Sequence, residues 1–192
     1  QIGKGLCDSV NLRDRLSNLK EFDRQILFWG GVLNMEIFTV AFFGHREIDY
    51  PFIVEELLDK HIHDLLSKKE YVDFLVGRNG EFDQYASSAV LRIRKQYRDD
   101  NSSLILVLPY LTAEYVNNQN SFENYYSEIE VSYAASAAHP KSAFQIRNRE
   151  MVDRANLVLC YVERPSGGAY QTIQYAYKQG KAVINLADEF QR

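Results

Sequence analysis

From Ile37 onward the chain alternates short, predominantly apolar runs with longer stretches of helical periodicity, and this alternation constrains the fold more than any other feature. The first run, Ile37-Phe38-Thr39-Val40-Ala41-Phe42-Phe43, stops at Gly44. Tyr71 to Val76 stops at Gly77, Leu104 to Leu108 stops at Pro109, and Leu157 to Val162 and Ala182 to Leu186 complete the series. Runs of this length, rich in β-branched and aromatic residues and closed by turn formers, predict strands. Between them, Ile53, Leu57, Leu58, Ile62, Leu65 and Leu66 recur at helical spacing behind Pro51, which suits a first helical turn. Phe82, Tyr85, Ala86, Ala89, Val90, Ile93 and Tyr97 repeat the pattern. Further helices are expected from Pro140 to Arg154 and from about Gly168 to Gln179, the last ended by Gly180.

Strands that are apolar throughout, rather than on alternate residues, must be covered on both faces. The expectation is therefore an α/β three-layer sandwich with a mainly parallel sheet of about five strands and right-handed crossovers. The tyrosine-rich segment from Tyr110 to Tyr133 has no clear period and reads as a loop with short helical pieces.

The first 34 residues differ in character: they carry the single tryptophan, Trp29, and none of the thirteen tyrosines. Two readings of residues 1–34 stand side by side. Trp29-Gly30-Gly31 ahead of Met35 can be spelled by G-rich codons resembling a ribosome-binding site, which makes the segment a translated leader. Leu12, Leu16, Leu19, Phe22, Ile26 and Leu27 fall at near-helical spacing, which makes it an amphipathic helix. On either reading, residues 35–192 are the main domain.

At 46% hydrophobic and 25% charged, the composition is that of a globular chain, and no apolar run approaches the ~20 residues of a membrane-spanning helix. No membrane partner is expected. The net charge of −4 argues against a non-specific grip on nucleic-acid phosphates, which requires a basic face. Cys7 and Cys160 lie far apart without metal-ligand spacing, which fits a reducing cytoplasm. His61 and His63 point to different helix faces and His139 sits before Pro140, so no metal and no cofactor are expected. A homo-oligomer is compatible with the pattern.

In an open parallel sheet the ligand crevice lies beyond the carboxyl ends of the strands, so the loops after each strand are the places to inspect. Gly44-His45-Arg46 follows the first strand and offers a close backbone approach, a ring and a guanidinium. Gly77-Arg78-Asn79-Gly80-Glu81-Phe82-Asp83 places Gly77 and Gly80 before a helix N-terminus, where free N–H groups attract anions and Asp83 can take a sugar hydroxyl. Asp83 and Glu81 equally serve to counter the positive end of that helix. Arg147-Asn148-Arg149 carries two guanidinium groups suited to phosphate, but residues two apart do not share a helix face, so at most one reaches the site. The alternative is that both arginines are solvated or paired with Glu150 and Asp153. The strongest physical signal is Pro165-Ser166-Gly167-Gly168-Ala169-Tyr170-Gln171-Thr172, a glycine-rich loop that feeds a helix. It lacks the Lys-Ser/Thr of an ATP-binding loop and the spaced glycines of a dinucleotide fingerprint.

Taken in order, Gly44-His45-Arg46, Gly77 to Asp83, the block Arg147-Asn148-Arg149-Glu150-Met151-Val152-Asp153 and Gly167-Gly168 with Tyr175-Ala176 and Lys181 to Leu186 resemble the SLOG superfamily. That superfamily has Rossmann-like domains and includes the Lonely Guy phosphoribohydrolases, DNA-processing protein A relatives and many small bacterial and phage proteins. The resemblance covers nearly all of Met35 to Leu186 and is nearest to the small bacterial branch. It implies a nucleotide-derived ligand held by Gly44, His45, Arg46, Gly77, Gly80, Asp83, Arg147, Arg149, Gly167, Gly168 and Thr172. Lonely Guy hydrolases place an arginine and a glutamate after the glycine loop, where this chain has Thr172, Ile173, Gln174 and Tyr175. Nucleoside deoxyribosyltransferases carry a nucleophilic glutamate in the corresponding helix, yet no residue from Gly168 to Gln179 is acidic. A neutral amide cannot act as general base, so binding, as a sensor or signalling module, is expected ahead of catalysis. The alternatives are an N-glycosidase or phosphoribohydrolase using Glu163 or Asp83, and a non-catalytic scaffold presenting Tyr110, Tyr115, Tyr125, Tyr126 and Tyr133.

Overall fold

The structure, a computed structural model, describes residues 26–28, 31–33 and 35–190. The chain divides into two units, Gln1–Glu36 and Ile37–Arg192. In the first, Ile26–Phe28 (β1) pairs antiparallel with Gly31–Leu33 (β2), Leu27 opposite Val32. Ile26 and Leu27, which helical spacing assigned to a helix, thus lie on a strand; the earlier positions of that expected helix fall outside the described residues.

The second unit alternates as its apolar runs require. Ile37–Gly44 (β3) leads to Pro51–Lys68 (α1), Tyr71–Val76 (β4), Glu81–Gln96 (α2) and Ser102–Leu108 (β5). Two short helices, Ala113–Asn117 (α3) and Gln119–Tyr125 (α4), precede Glu128–Val131 (β6). Tyr133–Ser136 (α5), Pro140–Arg154 (α6), Leu157–Tyr161 (β7), Gly167–Lys178 (α7), Ala182–Asn185 (β8) and Leu186–Phe190 (α8) complete it.

The sheet has six parallel strands in the order β6-β5-β4-β3-β7-β8. The α/β Rossmann-like sandwich is as expected, with one strand more than the five counted from sequence. The extra strand is β6, a short edge strand whose Glu-Ile-Glu-Val sequence is half polar and nowhere fully buried. The continuous apolar runs are explained by β3, where successive residues serve opposite layers. Val40 and Phe42 pack with Val54, Leu58 and Phe82 from α1 and α2, while Ala41 and Phe43 pack with Met151, Val152, Ile173 and Ala176 from α6 and α7. Phe42 stacks on Phe74 of β4 with ring centroids 5.8 Å apart. Each such side chain contributes about 1.5–3 kcal/mol by leaving water.

From β3 the chain adds strands in one direction through β6, then returns to place β7 on the other flank of β3. Loops from β3 and β7 diverge there and open a crevice at their carboxyl ends. Asn185, at the end of β8, shapes the exit of β7: its Oδ1 accepts from the Val162 amide at 2.9 Å and its Nδ2 donates to the Val162 carbonyl at 3.0 Å. Among the described residues no helix is long and apolar enough to cross a membrane.

Candidate functional site

The crevice is a cleft of about 390 Å³, within the range of small-molecule sites, bounded by four loops or helix starts. Its first wall is the turn after β3. The His45 amide donates to the Tyr161 carbonyl at 3.2 Å, and the Arg46 carbonyl accepts from the Glu81 amide at 2.9 Å. Glu81 reciprocates, its Oε2 accepting from the Ile48 amide at 2.8 Å. This stitching brings two loops so close that a Cβ on Gly80 would stand 2.5 Å from the Arg46 Cα.

His45 joins the first wall to the last. Its Nε2 accepts from the amides of Glu163 at 3.0 Å and Arg164 at 3.2 Å, which requires a neutral ring with the proton on Nδ1. Burial, reinforced by the Arg164 cation, holds this imidazole below its ordinary pKa.

The cleft wall between them carries a buried cation. Arg147, 2% exposed, comes from the middle of α6 and fills the space over Gly77, where any Cβ would overlap its guanidinium. Its Nη1 donates to the Met151 sulfur at 3.4 Å, a weak acceptor, and its buried Nε has no hydrogen-bond partner. Asp83 is the anion that acts on it electrostatically. The Asp83 carboxylate accepts from the Asn79 amide at 2.8 Å. Burial nevertheless pushes its pKa up, against the opposing pull of that amide and of Arg147.

The fourth boundary is the start of α7. Gly167 adopts a left-handed φ of 88°, and Ser166 at the N-cap makes no side-chain cap bond. A Cβ at Gly167 or Gly168 would meet nothing within 4 Å, so both present their backbone to open cleft. The helix dipole and free N–H groups there favour an anion. Thr172 is buried one turn on, donating to the Gly168 carbonyl at 2.8 Å and accepting from Asn148 Nδ2 at 3.0 Å.

Of the residues singled out from sequence, Gly44, His45, Arg46, Gly80, Asp83, Arg147, Gly167 and Gly168 line this one cleft. Gly77 lies behind Arg147, and Thr172 steadies Asn148 rather than lining the space. Arg149 is not in the lining: its guanidinium rests 5.4 Å above the ring of Tyr175. Phe144, Asn148 and Asn79 line the cleft without having been anticipated. Phe144, Arg147 and Asn148 occupy positions i, i+3 and i+4 of α6, so the choice of Arg147 over Arg149 carries the other two with it.

No protein-family model and no curated protein sequence matches the chain. Solved structures do. DNA processing protein A from Streptococcus pneumoniae superposes with a TM-score of 0.57 at 19% identity, over 77% of this chain and 49% of that one. The Helicobacter pylori DNA processing protein A, described for its single-stranded DNA binding mode, gives 0.54 at 16% identity, over 79% of this chain and 70% of its own. The chain has the Rossmann-like fold of DNA processing protein A, and it spans about half the length of the Streptococcus protein.

This likeness corrects one expectation. A net charge of −4 argued against nucleic acid as a partner, yet the same fold binds single-stranded DNA in the Helicobacter protein. Net charge is too coarse a guide because charge acts locally: in this chain the cleft is lined by Arg46, Arg147 and a helix N-terminus beside the Asp83 carboxylate, whatever the sum over the whole sequence.

Proposed function

We propose that this cleft binds a nucleotide and holds it without cleaving it, with the phosphate at the Gly167–Gly168 turn. The observation that carries this reading is Arg147, a buried cation that donates to the thioether sulfur of Met151, set in the wall of a cleft that also opens on an uncapped helix start. A phosphate oxygen supplies the strong, charged acceptor that the guanidinium lacks. Asn79, Asp83 and Asn148 offer donors and acceptors to sugar and base, and Phe144 offers an aromatic face. Gln174 in α7 supplies no charge for glycosidic cleavage. A cytoplasmic setting belongs to the same reading, because nucleotides and reduced thiols such as that of Cys160 occur together there.

The second reading, favoured by the fold shared with the Helicobacter protein, is that the nucleotide belongs to single-stranded DNA. Calorimetric titration with adenosine monophosphate and with a single-stranded oligodeoxyadenylate, followed by chromatography of the recovered ligand, tests both. Intact ligand bound by the native chain and weakened at least about tenfold by Arg147→Met supports the cleft as a nucleotide site. Tight binding of the oligonucleotide alone selects the second reading. Released adenine makes the protein a hydrolase, and heat from neither ligand removes the nucleotide reading.

A further inference from the structure

The carboxyl edge of the sheet dips a second time beyond the cleft. Arg78 and Asn79, directly after Gly77, form a ridge with the cleft on one side and a hollow of about 240 Å³ on the other. The hollow is walled by Ser87 and Ser88 of α2, by Phe122, Tyr125 and Tyr126 at the end of α4, and by Arg78. A pit of about 20 Å³ shares Asn79 and Arg147 with the cleft, and Arg78 and Phe122 with the hollow, so the three stand in series along the strand ends.

The aromatic floor of this hollow is held by contacts among its own side chains. Arg78 donates from Nη1 to the Tyr126 hydroxyl at 3.2 Å and from Nε to Glu114 at 2.8 Å, while its guanidinium lies 4.7 Å above the Phe122 ring. Tyr126 is thereby fixed, and Tyr125 meets it edge-on with centroids 4.8 Å apart and an interplanar angle of 68°. Tyr125 itself is 37% exposed, and its hydroxyl makes only a long 3.4 Å contact with Ser88. The cation of Arg78 is already offset by Glu114, so the hollow suits an uncharged planar ring better than a second phosphate. Stacking on a tyrosine face with hydroxyls at the ring edge is how such a surface holds a nucleobase.

We propose that this hollow is a second base site, which takes the base of a nucleotide linked to the one in the cleft, so that the ligand contains at least two joined nucleotides. The inference rests on the reading of the cleft as a nucleotide site and adds the length of what it binds.

Titration of the full chain with adenosine monophosphate and with the linear dinucleotide of deoxyadenosine tests it. The dinucleotide is expected to bind more tightly than the mononucleotide. Tyr125→Ala should remove that advantage, a loss of roughly 5- to 150-fold for one stacked base, while leaving the mononucleotide unchanged. Ser88→Phe, which fills the hollow from the exposed face of α2, should do the same and guards against a folding defect in the first variant. Equal affinity for the two ligands, or an advantage that survives both substitutions, overturns the second site while leaving the cleft intact. Failure of both ligands to bind the native chain overturns the cleft reading and this one with it. A further gain with a longer single strand identifies a polymer as the source, no gain a free dinucleotide, and the second site stands in both cases.

Discussion

His45 Nε2 lies 3.0 Å from the amide nitrogen of Glu163 and accepts a hydrogen bond from it, so the first loop of the cleft holds the last in place. The Arg164 amide adds a second donor to the same nitrogen. A protonated imidazole has no lone pair for either, and this sets a pH limit on the site.

The folded-state pKa of His45 lies below its ordinary value of 6.5, chiefly through burial. Between the two values the unfolded chain binds more protons than the folded one, so stability rises with pH across that window. The contribution of this contact is complete above about 6.5 and is lost as pH falls through the lower, folded-state value. Urea unfolding from pH 8 to pH 5 should show native stability falling at the acid end more steeply than that of His45→Gln, whose amide oxygen accepts at any pH. Parallel profiles for the two proteins would sink the assignment.

Arg147→Met should separate stability from binding. Replacing the buried guanidinium with an apolar chain of similar length removes its desolvation cost but takes the cation away from the Asp83 carboxylate, so the two effects oppose and unfolding free energy should fall by less than about 3 kcal/mol. Nucleotide affinity should fall in the same protein. A drop of more than about 3 kcal/mol in stability would instead make Arg147 a structural residue.

Gly80 and Gly168 should respond in opposite ways to alanine. At Gly80 the new methyl stands 2.5 Å from the Arg46 Cα, so backbone must move, at a cost of about 1–3 kcal/mol in denaturant unfolding. At Gly168 nothing lies within 4 Å, so stability should not fall, while the methyl projects into the space assigned to phosphate and weakens ligand binding. Equal destabilisation by both would contradict the open geometry of the glycine turn.

Asn185→Ala removes both hydrogen bonds to the Val162 backbone, leaving that peptide without its side-chain clamp. A loss of about 1–3 kcal/mol is expected in thermal or urea unfolding. Hydrogen exchange should show the loop from Val162 to Ser166 less protected in the variant than in the native protein.

Much of the fold was legible because its main signal is local. Each two-sided strand is apolar along most of its length, despite Thr39 on β3 and Asp73 on β4, and each helix states its period within its own length. β6 escaped because Glu128 to Val131 is short and half polar, and it becomes a strand only by pairing with Leu106 and its neighbours on β5. The site was legible as a set of loops, since the ends of parallel strands converge by topology. What single-sequence reasoning left undecided was orientation. Arg147 and Arg149 are equivalent as letters, and only the rotation of α6 against the sheet sends one into the cleft and the other onto Tyr175. Spacing excluded both from one face but carried no sign to choose between them. His45 was flagged as a ligand contact by position, whereas its double acceptor role depends on backbone more than a hundred residues away.

The pairing of β3 with β7 joins Val40 to Leu157 and Gly44 to Tyr161. A chain leaving the ribosome can complete β3, α1, β4, α2 and β5 from nearby segments long before β7 exists. The cleft therefore comes into being only after β7 and the glycine turn have followed the earlier strands out of the ribosome. A ligand that binds there recognises a finished domain and stabilises it over every shorter nascent form.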